Sequence, residues 1–218
     1  MALTDNLVAY YKLDGNSNDS IGTNNGTDTS VTYSTDNGKI NQGAGFNGTS
    51  SKIAMSSGVG ITGDSARTMS FWAKSNSTSG LIGFCGFGQD TMAQNFSFGI
   101  YNSHWFFYGA VSTYDFDTGV NADTNVNFWT ITYNGKSVTI YKNGSSIGSK
   151  SVALNTSSSP LNIGVRKNGD GFLNGWVDEL GIWSRVLTTD EISELYNSGN
   201  GYNGFLPSTG GGNFFQLF

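Results

Sequence analysis

The sequence predicts an all-β protein, a two-sheet antiparallel jelly-roll sandwich with one short C-terminal helix, and three observations carry that prediction. Gly 31, Ser 28, Asn 24 and Thr 21 make up 48% of the 218 residues, against 12% charged. These types are poor inside helices and good in turns, which argues against long helices and coiled coils. Aromatic residues account for 14%, far more than a solvated low-complexity chain carries, so the chain has a core to build. Short runs of alternating apolar and polar residues recur, with Gly, Asn and Ser clusters between them, as in a β-sandwich.

In chain order, the alternation predicts strands over residues 7–13, 51–55, 68–74, 80–87, 96–101, 105–111, 128–133, 138–142, 161–165 and 175–184. One hairpin is nearly legible. Residues 128–133 and 137–141 flank Asn134-Gly135, a dipeptide suited to the positive φ of a tight turn, and Asn143-Gly144 then turns the chain again into a meander. The single helix comes late. Thr188 and Glu191 form a capping box, Ile192, Leu195 and Tyr196 supply a stripe at helical spacing, and Gly199 can end it. The expected packing place is an edge or one end of the sandwich.

Residues 1–200 read as one domain and 201–218 as a tail. In the tail, Gly210-Gly211-Gly212 makes a hinge before an apolar end of Phe214, Phe215, Leu217 and Phe218. Such an end docks on a partner, assembles copies, or folds back on its own domain.

A net charge of −5 and a pI near 4.6 disfavour nucleic acid and anionic membranes, which reward clustered Lys and Arg. The lone Cys85 allows no intrachain disulfide. Nothing reaches the ~20 apolar residues of a membrane span. The start, MALTDNLVAYYKLDG, has no basic, apolar leader. A virion or an exterior reached without a signal peptide is the expected location, with the cytoplasm as the alternative.

Two blocks of sequence resemble the laminin-G-like branch of the concanavalin A-like lectin and glucanase superfamily. The first is LVAYYKLDGNSNDSIGTNNGT with GAGFNGTSSKIAM. The second is FWTITYNGKSVTIYKNG with LNIGVRKNGDGFLNGWVDELGIWSRVLTTDEISELY. The resemblance covers nearly all of residues 7–196 in the family's order. It implies a jelly roll whose first strand pairs near the termini with the strand over 175–184. Trp176 and Trp183 depart from the family's smaller residues, and residues 113–127 have no counterpart.

Alternation places Trp176, Asp178, Leu180 and Ile182 on one strand face, and Val177, Glu179, Gly181 and Trp183 on the other. A carboxylate among apolar residues needs a partner. One reading is a calcium ligand set, since calcium takes about six to eight oxygens. Asp14 and Asp19 offer carboxylates in a tight turn, and the turn at Gly48 offers carbonyls. The family often ties its terminal strands with a structural calcium, and Asp14, Asp19, Gly48 and Asp178 are the matching positions. In the other reading, Asp178 accepts backbone amides and Asp14 and Asp19 shape turns. The stretch Asp115-Phe-Asp117-Thr-Gly119 imitates the start of an EF-hand loop but lacks its distal Glu, so a surface loop is expected there.

Catalysis is disfavoured. Retaining glycosidases need two carboxyls about 5 Å apart. The chain has three glutamates, two of them on the predicted helix, and adjacent Asp178 and Glu179 point to opposite faces of an ideal strand. The only histidine, His104, has no nucleophile motif around it. Sugars are held by aromatic rings and by amide or carboxylate side chains. The candidates are His104, Trp105, Tyr108, Tyr114, Asp115 and Phe116, with Asn102 beside them.

The sequence therefore points to non-catalytic recognition or adhesion through a glycan or cell-surface ligand. A phage virion decoration or fibre protein, held to the particle by its tail, is the specific form expected. A polysaccharide-acting glycoside hydrolase and a structural assembly module are the alternatives.

Overall fold

The computed structural model describes residues 1–202 and residue 204. The expected docking residues Phe214, Phe215, Leu217 and Phe218, and the hinge before them, lie outside the described residues.

Among the described residues the strands are β1 (Leu7–Tyr11), β2 (Gly26–Thr29), β3 (Thr32–Ser34), β4 (Gly43–Asn47), β5 (Lys52–Met55), β6 (Arg67–Ser75), β7 (Leu81–Gly88), β8 (Asn95–Tyr101), β9 (His104–Tyr108), β10 (Phe116–Asn121), β11 (Asn127–Tyr133), β12 (Ser137–Lys142), β13 (Ser145–Ser151), β14 (Asn162–Ile163) and β15 (Asn174–Trp183). The helix is α1 (Thr189–Tyr196). The first sheet runs β13-β12-β11-β6-β15-β4-β3. β1 pairs with the later half of β15, where β4 leaves off. The second sheet runs β10-β9-β8-β7-β14-β5-β2. The two antiparallel sheets form the expected sandwich, and the terminal strands β1 and β15 pair as the resemblance implies.

The inward faces of the two sheets meet in an aromatic core. Trp105 and Trp129 are 4.3 Å apart between ring centroids, and Phe98 lies 4.7 Å from Trp129. A second apolar layer covers the outer face of the first sheet, where Trp72, Phe128 and Trp183 meet Ile192 and Leu195 of α1. The helix thus lies on a sheet face rather than at an edge or end, because its stripe finds three rings there. The capping box forms as expected: Glu191 N–H donates to Thr188 Oγ1 at 3.3 Å and Thr188 N–H to Glu191 Oε2 at 2.8 Å. Asn197, in the left-handed region at φ 48°, ends α1 before Gly199 is reached.

Five strands lack the predicted signal. β2 is largely exposed, and β3 and β13 are mostly polar with one half-buried apolar residue each, Tyr33 and Ile147, so these edge strands show no alternation. β4 is Gly-rich because its neighbours come close: a Cβ on Gly43 would lie 2.0 Å from the Asn37 carbonyl oxygen. β10 carries Asp and Gly, which are depleted in strands. The expected loop over 115–119 is therefore mostly strand, with Phe116 opposite Phe107 and Asp117 opposite Phe106.

The face assignment in β15 is corrected by a bulge. Asp178 pairs with Trp72 and Gly181 with Ser70, so Glu179 and Leu180 together stand opposite Phe71 alone. Glu179 takes φ 54°, rare for a residue with a side chain. The extra residue shifts the alternation by one. Val177, Leu180 and Ile182 enter the core, while Trp176 and Trp183 join the outer layer.

Candidate functional site

The outer face of the second sheet holds a broad concavity. In β9, Trp105 and Phe107 face the core, leaving Phe106 and Tyr108 on the opposite side. In β8, Phe96, Phe98 and Ile100 face the core and Tyr101 faces out. At Gly99 a Cβ would meet the Ile82 carbonyl oxygen at 1.8 Å and Tyr108 Cε2 at 3.1 Å, so the glycine lets β7 and the Tyr108 ring come close; the Tyr108 hydroxyl donates to the Ile100 carbonyl at 2.6 Å. At Gly83 a Cβ would lie 2.5 Å from Arg166 N, so the segment bearing Arg166 packs directly on β7. The result is a cavity of about 830 Å³ with an apolar floor of Leu81, Tyr101, Phe106 and Tyr108, and walls that include Phe116, Ser112, Asp115, Asp117, Lys150 and Arg166.

Each charged wall residue is anchored. The Arg166 guanidinium stacks over Tyr108 at 4.7 Å and pairs with Asp170 at 2.8 Å and Asp90 at 3.5 Å. Lys150 Nζ, reaching across from β13 of the first sheet, donates to the Asp115 carbonyl. Asp115 Oδ1 accepts the Gly109 amide at 2.9 Å; burial, reinforced by Asp90, lifts its carboxyl above the usual range. For Asp117, burial pulls upward but is outweighed by the Gly119 amide and His104, leaving its carboxyl below the usual range. His104 Nδ1 lies 2.9 Å from Asp117 Oδ1. Beside the wall, Ala110 and Val111 both take positive φ, 63° and 69°. A β-branched residue there is strained, and such strain persists where the surroundings over-determine it. Here the Tyr114 and Asp115 amides both donate to the Val111 carbonyl.

The structure brings together Tyr108, Asp115 and Phe116 of the six expected ligand residues, while His104 reaches the cavity only through its contact with Asp117. Trp105 is corrected to the core, 1% exposed, because the alternation of β9 sends it inward against Trp129. Tyr114 is half-buried against the same core. Exposed Asn102 takes φ 50° in the β8–β9 turn. Sequence reasoning missed Tyr101, Phe106, Asp117, Lys150 and Arg166. Period-two alternation in Trp105-Phe106-Phe107-Tyr108 signals that two rings point outward without saying which two. Nothing local places Lys150 or Arg166 there.

The expected metal residues are brought together only in part. Asp178 is fully buried, and its Oδ2 accepts the Lys39 and Ile40 amides at 2.7 and 2.9 Å. Asp14 holds the same turn through the Gln42 amide at 2.9 Å. Burial, with the Asp14 charge adding to it, pushes Asp178 up to about 7. Asp19 serves a different turn, accepting the Tyr10 and Ile21 amides at 3.1 Å. Gly48 sits beside Asn174, four residues along β15 from Asp178. Among the described residues no group of three or more His, Cys, Asp or Glu is placed to hold a metal. Asp178 Oδ1 is nevertheless buried without a hydrogen-bond partner, and that is the donor atom a cation would take.

None of the three glutamates lines the cavity. Glu191 pairs with Arg185, and Glu194 is exposed on α1. Glu179 is buried beneath the helix layer and accepts the Tyr10 hydroxyl; burial pushes its carboxyl up to about 8. The bulge removes the sequence argument that Asp178 and Glu179 point to opposite faces; what keeps both from acting on a ligand in the cavity is burial away from it.

A family model described as the concanavalin A-like lectin/glucanases superfamily matches residues 47–193. No curated protein matches. Among solved structures, domain 4 of AbnA, a GH43 extracellular arabinanase from Geobacillus stearothermophilus solved with arabinotriose, superposes with a TM-score of 0.71 at 22% identity. That match covers 86% of this chain and 97% of the domain. The binding domain of botulinum neurotoxin DC, solved with rat synaptotagmin II, gives 0.69 at 17% identity over 90% of this chain. The binding domain of Paraclostridial Mosquitocidal Protein 1 gives 0.68 at 21% over 91%. The chain spans about half the length of the two toxin domains, 52% and 53%.

Proposed function

We propose that this chain, which belongs to the concanavalin A-like lectin/glucanase superfamily through its laminin-G-like family, is a non-catalytic recognition module that binds a glycan in the cavity of its second sheet. The observation that carries the reading is the cavity's composition: an aromatic floor for the apolar faces of sugar rings, beside carboxylates and hydroxyls that bond their hydroxyl groups. The arabinotriose bound to the arabinanase domain supports a sugar as ligand; the synaptotagmin bound to the toxin domain supports recognition of a surface more broadly. Asp115 and Asp117, the two carboxylates lining the cavity, each accept a backbone amide, which holds them in place to accept from ligand hydroxyls. Display on a virion, with residues 201–218 as the anchor, is the finer form of this proposal and rests on the tail's sequence.

The test is a glycan array followed by titration, run beside hydrolysis of a β-glucan panel. Saturable binding with no release of reducing ends is expected. Hydrolysis would favour the glycosidase alternative, and absence of binding would remove the glycan.

A structural calcium, if bound, would be held by Asp14 and Asp178, neutralising their charge and joining β15 to the turn at Lys39–Gln42. Calcium at a hundredfold excess over its Kd would add about 2.7 kcal/mol to stability. The expected result is a Tm several degrees higher in calcium than in EDTA. An unchanged Tm would mean that Asp178 is satisfied by its backbone amides and its proton.

A further inference from the structure

We propose that the cavity selects neutral glycans and excludes acidic ones, an inference that rests on the recognition reading above and names its ligand class. An acidic sugar is ordinarily gripped by the fork of a guanidinium or by an ammonium group. Arg166 is the only guanidinium lining the cavity among the described residues, and each of its terminal nitrogens already faces a carboxylate. Nη1 lies 2.8 Å from Asp170 Oδ1, and Nη2 lies 3.5 Å from Asp90 Oδ2. One of its two flat faces lies over Tyr108. Lys150, the other lining cation, directs its ammonium to the main-chain carbonyls of Ser112 and Asp115.

Four carboxylates stand against these two cations: Asp115 and Asp117 in the wall, Asp90 and Asp170 on the guanidinium. A sugar carboxylate entering here must either draw Arg166 or Lys150 off the oxygens they already hold or lie unpaired beside like charge, and both cost affinity. A neutral sugar meets neither cost. Its ring lies on Tyr101 and Phe106, and its hydroxyl protons find the wall carboxylates already oriented.

The experiment compares matched pairs by calorimetry: lactose against sialyllactose, and xylo-oligosaccharides against their glucuronic-acid-bearing forms. The neutral member of a pair is expected to bind at least tenfold tighter. In Asp90→Asn/Asp170→Asn the fork of Arg166 is released, so the acidic member should gain about tenfold while the neutral one stays within twofold, with Tm measured to verify the fold. Equal or preferred binding of the acidic member by the unaltered protein overturns the selectivity and leaves recognition standing. A folded double variant that gains no acidic binding overturns the role given to Arg166. Binding of neither member across the whole panel overturns the recognition reading itself.

Discussion

Arg185→Met is expected to lower stability by about 3–5 kcal/mol, the cost of removing one partner of a buried ion pair. Arg185 makes a two-pronged contact with Glu191, Nη1 to Oε2 and Nη2 to Oε1, both at 2.7 Å, with both side chains more than nine-tenths buried. Its other donors hold the amino terminus, at the carbonyls of Asp5 and Ala2. Glu191 also accepts the Thr188 amide, so one carboxylate serves the pair and the helix cap. Losing Arg185 strands this charge beneath α1 and frees residues 2–5 together. For a domain of this size 1 kcal/mol corresponds to roughly 2–4 °C, so Tm should fall by about 6–20 °C. A fall under about 2 °C would mean that the pair contributes nothing.

The same pair sets a pH signature. Its hydrogen bonds from Arg185 hold the Glu191 carboxyl down at about 2, below its ordinary 4.5. A group whose folded value is depressed stabilises fully above its unfolded value, and that contribution drains away as pH falls from 4.5 towards 2. Acid unfolding followed across that window should be steeper in the unaltered protein than in Arg185→Met, where Glu191 has lost its main partner.

Tyr101→Ala is expected to weaken binding of a neutral oligosaccharide roughly ten- to a hundredfold while leaving Tm nearly unchanged. Tyr101 is 40% exposed and touches the floor through an edge-to-face contact with Phe106 at 5.2 Å. Truncation therefore removes a platform without opening the core. A stacked ring gives about 0.5–1.5 kcal/mol beyond the apolar area it covers, and each tenfold in affinity is about 1.4 kcal/mol. Phe106→Ala should cost as much binding with a larger fall in Tm, since its ring is only 8% exposed. Trp105→Ala gives a different outcome. It opens a cavity beside Trp129 at a cost of about 3–5 kcal/mol, so loss of binding there would report unfolding. Unchanged affinity in Tyr101→Ala would move the ligand away from this cavity.

The fold was legible where burial imposes alternation. β6, β8, β11 and β12 each show a buried face in their spelling, and the Thr188–Glu191 box announces α1. Edge strands with one apolar residue or none, such as β13 and β2, carry no such imprint. The bulge at Asp178–Gly181 left no local sign, because Glu179 is an ordinary residue held in an unusual conformation by its surroundings. The site was half legible. Tyr108, Asp115 and Phe116 were found because aromatic and acidic residues cluster in that stretch, and Trp105 was misplaced because clustering does not tell the two faces of a strand apart.

The sequence by itself determined the class of the protein: turn-forming composition, aromatic core and ordered motifs admit a laminin-G-like sandwich and little else, because secondary structure and burial are written in local periodicity. The tertiary structure decided which aromatic rings face out and what surrounds them. Tyr101 and Phe106 become a floor where Gly99 and Gly83 let the Tyr108 ring and the Arg166 segment pack close on the sheet. Arg166 becomes a paired cation because Asp90, just beyond β7, and Asp170, in its own loop, both reach it. Such charge pairing depends on distances of a few ångströms between segments far apart in the chain, and no local pattern encodes those.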